Sequence, residues 1–298
     1  MSTPKVVETA VAQARLWANK TGLRPLVIVP YLSEDSLTWM QSQGISGVDL
    51  CGNGVLLAAN FSVWCTGTPN RFRNSQPIRN VYKGTSSLFS RALLLNPEFD
   101  SLLSLQAFAR TRLDVASDGE RLAKGTASKV VQALVEDLIV QREGRGGVRL
   151  TDTKRLLERL KENYRKPQGK RVEGKITLSA SDAWLRLRGA GVRAVATGDG
   201  SAGRYGLLSG PERLCLYVSD LKEAMQLLEV STTRIFPNVE LIETTDETVY
   251  FDARDRSDGW WASPIQVWLE LATGGPRERN AAKALYDALL NKNTETMP

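Results

Sequence analysis

The chain has 298 residues, 42% of them hydrophobic, with 39 Lys and Arg against 33 Asp and Glu for a formal net charge of +6. That is long enough for two or three domains with cores of their own, and no apolar run nears the ~20 residues of a membrane-crossing helix; nor does Met1-Ser-Thr-Pro-Lys5 carry the apolar core of a signal peptide, so residence in the cytoplasm is expected. With no histidine, Ser-His and Cys-His nucleophile pairs and histidine bases are excluded, and Cys51, Cys65 and Cys215, far apart among apolar neighbours, read as buried free thiols rather than a disulfide or zinc set.

From the N-terminus, Val6, Val7, Ala10, Val11, Ala14 and Trp17 recur at helical spacing over residues 5–20. Residues 26–29, between Pro25 and Pro30, form a strand; residues 33–43 form a short helix closed by Gly44. A strand over 45–50, a Gly52-Asn-Gly54 turn and strands over 55–59 and 61–65 complete a small α/β domain assigned to residues 1–82. Its tail, residues 68–79, is polar, basic and punctuated by prolines, and reads as an arm. Asp49, closing a strand before Leu50-Cys-Gly-Asn53, imitates the first metal ligand of restriction-type nucleases. Such sites need a second acid and a lysine on the following strand, and residues 55–65 contain neither. A degenerate nuclease-like scaffold or a plain turn aspartate fits better.

Residues 83–168 read as a winged helix-turn-helix. Residues 87–95 form its first helix, Leu102 and Leu103 a short strand, and Ser104 caps a helix over 105–111; residues 112–123, with Asp114, Asp118 and Glu120, form an extended turn. In the next helix Val131, Leu134, Val135 and Leu138 make one apolar stripe, leaving Ser128, Lys129 and Gln132 on the other side, and Thr126 suits the N-cap. Short strands over 139–142 and 148–150 flank Glu143-Gly-Arg-Gly-Gly147, the basic hairpin of a wing. Asp152 caps a helix over 154–164, and residues 165–171 read as an exposed basic linker. Residues 83–171 hold 18 Lys and Arg against 11 Asp and Glu, whereas residues 172–298 hold 14 against 18. The cationic excess thus gathers on the candidate DNA-binding segment.

Residues 169–298 read as a C-terminal α+β domain, making the whole an α+β multidomain chain. Strands are expected over 175–178, 182–188, 192–197, 214–218, 239–242 and 248–251, with helices over 221–228 and 281–290. Trp260, Trp261 and Trp268 read as packing residues rather than base-stacking platforms. Thr197-Gly-Asp-Gly-Ser-Ala-Gly203 has dinucleotide-fingerprint spacing, but Gly206 and Gly210-Pro211 interrupt the helix that should follow. Gly200-Ser201 with Ser219-Asp220 outlines a nucleotidyltransferase-like shell, in which Lys222 stands where a second metal ligand belongs.

In their order, Pro25-Leu-Val-Ile-Val-Pro-Tyr-Leu-Ser33, Gly44-Ile-Ser-Gly-Val-Asp-Leu-Cys-Gly-Asn53, Gly125-Thr-Ala-Ser-Lys-Val-Val-Gln-Ala-Leu134, Ala196-Thr-Gly198, Ser263-Pro-Ile-Gln-Val-Trp-Leu-Glu-Leu271 and Gly275-Pro-Arg-Glu-Arg-Asn-Ala-Ala282 give the chain its likeness. It resembles the AbiEi-type antitoxins, transcriptional repressors of type IV toxin–antitoxin pairs. The resemblance implies operator binding by the winged helix, autorepression of an operon whose toxin looks like a nucleotidyltransferase, and a C-terminal domain needed for neutralisation. The expected DNA contacts are Lys124 and Lys129 on phosphates, Thr126, Ser128 and Gln132 at base edges, Arg142, Arg145 and Arg149 on the wing, and Arg71, Arg73 and Arg79 from the arm. Double-stranded DNA with inverted repeats would be met by two copies, although no residue fixes a dimer; no cofactor or metal is expected. The competing readings are a metal-dependent nucleotidyltransferase or nuclease, which needs a carboxylate pair that the spacing lacks, and a protein-binding adaptor whose acidic last domain meets a basic partner.

Overall fold

The computed structural model describes residues 3–72, 80–113, 122–144, 146–206, 213–256 and 259–291. It is a mixed α and β protein in two compact units, one of residues 1–79 with 131–141, the other of residues 80–130 with 142–298.

In the first unit, helix α1 (Pro4–Thr21) starts on a proline, where no N–H is needed, and stops at Gly22, whose φ of 68° suits a glycine. Strand β1 (Leu26–Val29), helix α2 (Glu34–Ser42) and strands β2 (Ser46–Asp49), β3 (Gly54–Leu57) and β4 (Ser62–Cys65) follow, close to their expected positions. Ser33 caps α2 by accepting from the Ser36 N–H. The sheet runs β1-β2-β3-β4, parallel for the first pair and antiparallel thereafter. Val27, Val29 and Val55 on one sheet face pack with Val7 and Val11 of α1 and with Leu37 and Met40 of α2.

Asp49 sits inside the turn after β2. Its carboxylate accepts from the N–H groups of Leu32, Cys51 and Asn53 and from Asn53 Nδ2, each at 2.8 Å. Burial works to raise its pKa, but these bonds outweigh burial and hold the carboxyl below its ordinary value. With its acceptor sites spent on the loop, Asp49 is a turn aspartate.

The second unit opens with a 3₁₀ turn (Gly84–Ser86), helix α3 (Ser87–Leu95), strand β5 (Glu98–Phe99) and helix α4 (Leu102–Thr111). The short strand therefore lies at 98–99 and not at Leu102 and Leu103. Those residues begin α4, because Ser101 accepts from the Ser104 N–H while Ser104 Oγ bonds back to the Ser101 N–H, a reciprocal cap that starts the helix three residues early. Residues 114–121 of the extended turn lie outside the described residues. Helix α5 (Lys124–Glu136) and strand β6 (Val140–Glu143), of which residues 131–141 belong to the first unit, then strand β7 (Gly147–Leu150) and helix α6 (Thr153–Asn163), capped by Asp152, follow, with a three-stranded sheet in the order β5-β7-β6. Phe99 and Phe108 meet edge to face at 5.3 Å.

The rest of this unit is built on strands β8 (Arg171–Lys175), β9 (Ala194–Ala196), β10 (Leu214–Val218), β11 (Ser231–Thr232), β12 (Val239–Glu243), β13 (Arg254–Arg256) and β14 (Gly259–Trp261). They form one sheet in the order β11-β8-β12-β10-β9-β14-β13. Helices α7 (Ala180–Gly189), α8 (Gly198–Ala202), α9 (Leu221–Leu227), α10 (Pro264–Ala272) and α11 (Pro276–Asn291) complete it. The expected strand over 182–188 is α7: Ser179 caps it, and Ala183, Trp184 and Leu187 bury one helical face. The strand expected at 175–178 ends at Lys175, and residues 248–251 enter a 3₁₀ turn (Glu247–Tyr250) because Asp246 accepts from the Thr248 N–H. Patterning also missed the β13–β14 hairpin and α10. Gly259, at φ 142°, lies against the Trp184 indole, where a Cβ would come within 2.2 Å of Nε1. Trp260 and Trp261 pack on Trp184 at 6.3 Å and Trp268 is buried, as packing residues should be. Residues 165–171 are not a free linker, because Pro167 is buried and Lys166 is held by two carboxylates. Among the described residues, no helix is long and apolar enough to cross a membrane.

Candidate nucleic-acid interface

Helix α5 begins three residues earlier than a cap at Thr126 implies. Thr126 and Ala127 both donate their N–H to the Ala123 carbonyl, which places Thr126 within the first turn rather than at the cap. Its buried positions are Ala127, Val130, Val131 and Leu134; Leu138 lies past the helix end in a left-handed conformation, φ 60°, and takes no part in the stripe. No acid stands in the first turn. A helix N-terminus carries the positive end of its backbone dipoles, which favours an anion there.

Along this helix, Lys129 is exposed, while Thr126 and Ser128 are half-buried. Gln132 is exposed but engaged, its Nε2 donating to Glu136 Oε1 at 3.0 Å. Within the first unit, Gln132 and Glu136 also line a groove of about 520 Å³ with Lys5, Val6, Thr9 and Gln13 of α1. On the hairpin, Arg142 is exposed on β6, whereas Arg149 on β7 is tied to Glu143 at 2.9 Å and Glu98 at 3.5 Å. Arg149 is thus neutralised by its own sheet. Arg71 is exposed, and its N–H bonds Cys51 Sγ. Arg73, Arg79 and Arg145 lie outside the described residues, as does the side chain of Lys124. The structure therefore brings Lys129 and the small polar residues together on α5, and leaves Arg142 on the hairpin.

The residues behind the enzymatic reading are used otherwise. Ser201 Oγ is buried, accepting from the Ala262 N–H at 3.0 Å and donating to the Ala196 carbonyl. Asp220 caps α9 by accepting from the Glu223 N–H. Thr197 caps α8, which ends at Ala202, so the glycine loop leads into one helical turn only.

Patterning gave no sign of the most strongly coupled polar group in the second unit. Arg91 of α3 is fully buried and donates from Nη1 to the Thr248 carbonyl at 3.0 Å and to Gln266 Oε1 at 2.9 Å. Gln266 Nε2 donates in turn to Tyr164 Oη at 3.0 Å and Glu270 Oε1 at 2.9 Å. Glu270 lies 3.7 Å from Lys166 Nζ, itself 3.4 Å from Asp199. Burial pushes the Glu270 carboxyl above the ordinary range, with Lys166 and Gln266 opposing. For Lys166, burial works to lower the pKa, but Glu270 and Asp199 outweigh it and the ammonium is held up. Burial also raises the phenols of Tyr164 and Tyr217. The network ties α3 and the end of α6 to α10, which makes it a structural clasp. Cys215, in the same unit, is buried and its thiol is pushed up to about 12.

Fold and candidate interface together define a mixed α and β protein with a cation-bearing helix followed by a hairpin. No family model, no curated protein and no solved structure matches the chain.

Proposed function

We propose that this chain is a sequence-specific DNA-binding transcriptional repressor acting in the cytoplasm, a regulator and not an enzyme. In this reading α3, α4 and α5 form a helix-turn-helix with α5 as recognition helix, and β6 and β7 form its wing. The resemblance extends the reading to an autoregulating antitoxin of the AbiEi type, encoded beside a nucleotidyltransferase-like toxin. The observation that carries it is the exposure of Lys129 and Arg142 on successive elements of the segment that holds 18 Lys and Arg against 11 Asp and Glu. Lys129 meets phosphate beside the positive end of α5, Ser128 and Thr126 face base edges, and Arg142 reaches flanking backbone. Gln132 reads adenine only once it leaves Glu136, so its contribution to specificity is reduced by the bond it must break.

Selection of bound sequences from random DNA, followed by gel-shift titration at several salt concentrations, tests the reading. An enriched inverted repeat is expected. The double change Lys129→Ala and Arg142→Ala should weaken binding about 10-fold or more and reduce the slope of log affinity against log salt by about two. Arg149→Ala, whose charge is already paired, should leave affinity within about 2-fold. No enriched motif, or a double variant that binds like the parent, would overturn the proposal.

A further inference from the structure

The strand pairing of the first unit sets two rows of side chains across one face of its sheet: Leu26, Ser46, Leu56 and Val63 in one, Ile28, Val48, Gly54 and Cys65 in the other. Alternation along the strands extends the face by Leu50 and Phe61. Among the described residues, the two paired rows hold no charged side chain. Helices α1 and α2 cover only the opposite face, where Val27 and Val55 are 5% and 0% exposed. On the open face Ile28 is 61% exposed, Leu50 62%, Phe61 63%, Leu26 47%, Val63 42% and Leu56 37%. These six side chains leave on the order of 600 Å² of contiguous apolar surface in water, at the upper end of what a monomer exposes and approaching the ~800 Å² that each partner of a stable complex buries.

We propose that this face is a self-association surface on which a second copy of the chain packs, sheet against sheet. Its area approaches what each half of a stable dimer buries. The absence of charge selects the same partner, because an apolar surface placed against a charged one would strip water from ions with nothing to replace it. A two-fold axis through the face sets each row against its symmetry mate, with no like charges brought together. Two twisted sheets meet in this way at about 10 Å with strands roughly 30° apart. The inference does not depend on DNA binding, though a two-fold assembly is what an inverted repeat would meet.

Cys65 supplies the probe. It is exposed within the second row, whereas Cys51 and Cys215 are buried, so it is the one exposed thiol of the three. Sedimentation equilibrium of the full chain at micromolar concentration should give the mass of two chains. Ile28→Lys and, independently, Leu56→Lys should return it to one chain while the far-ultraviolet spectrum and unfolding midpoint stay near the parent's. A short bis-maleimide should join two parent chains and fail on Cys65→Ser. A single-chain mass at every concentration would overturn the proposal, as would a dimer that survives both lysine changes and is not joined through Cys65. A one-chain mass with Cys65 protected from a monofunctional maleimide would assign the face to another segment of the same chain, and open-ended aggregation would reduce it to nonspecific adhesion; either result refutes a second copy.

Discussion

Asp49 in the first unit and Glu270 in the second are both buried carboxylates, yet they are held by opposite means. Asp49 is wrapped by its own loop: three backbone N–H groups and one side-chain amide, most of them within four residues, keep its charge at no cost to the rest of the fold. Glu270 is held from a distance, by Gln266 on its own helix and by Lys166, with Arg91 reaching the same glutamine from α3. The Asn53 side chain and the backbone donors of the turn lower one pKa, whereas burial, outweighing Lys166 at 3.7 Å and Gln266, raises the other. A carboxylate satisfied locally is a feature of a loop. One satisfied across helices is a feature of the whole unit.

The sharpest way to break that comparison is Arg91→Met. It removes the buried cation and strands the Thr248 carbonyl, Gln266 Oε1 and the nearby Asp246 and Glu270, so urea unfolding should show a loss of about 3–5 kcal/mol. A loss below about 1 kcal/mol would show that the clasp holds nothing. Next in size is Asp49→Ala, which orphans three N–H groups and should cost about 2–3 kcal/mol. Because the Asp49 pKa is depressed on folding, its stabilisation is present above its ordinary value of 3.8 and is lost as pH falls through the folded value. The variant should therefore lose less stability than the parent on acidification, and parallel acid limbs would contradict the assignment. The smallest effect is expected from Glu270→Gln, below about 2 kcal/mol, since the amide keeps the shape and an acceptor. Here the pKa is raised on folding, so the contribution is present below the ordinary carboxyl range and is lost as pH rises through the folded value. The parent's melting temperature should fall relative to the variant's from acid to neutral pH, and a constant difference would remove Glu270 from the account.

The same contrast explains what could be read in advance. A turn role for Asp49, one of the two readings its sequence left open, was legible because Cys51 and Asn53 lie just after it, although Leu32 does not, and the first unit's strands and helices follow their own periodicity. Glu270, inside Leu269-Glu-Leu271, carries no local sign of its partners, since Arg91 and Tyr164 meet Gln266, one turn before it, across 175 and 102 residues of sequence. Residues 182–188 were misread because Trp184, Arg186 and Arg188 alternate plausibly for a strand, while the Ser179 cap that starts the helix lies outside that window. Arg149 looked free until β7 set it beside Glu143 and Glu98.

The sequence by itself determined the mixed α and β character, the placement of most helices and strands in residues 3–72 and 122–164, and the concentration of positive charge on the middle segment, because these depend on periodicity, caps and composition within a few residues. Tertiary structure alone decided which cations are neutralised, which carboxylates are buried, and that helices α1 and α2 leave one sheet face with Cys65 on it uncovered. Each of those outcomes depends on groups far apart in sequence, and no local pattern records what the fold brings beside a side chain or fails to bring.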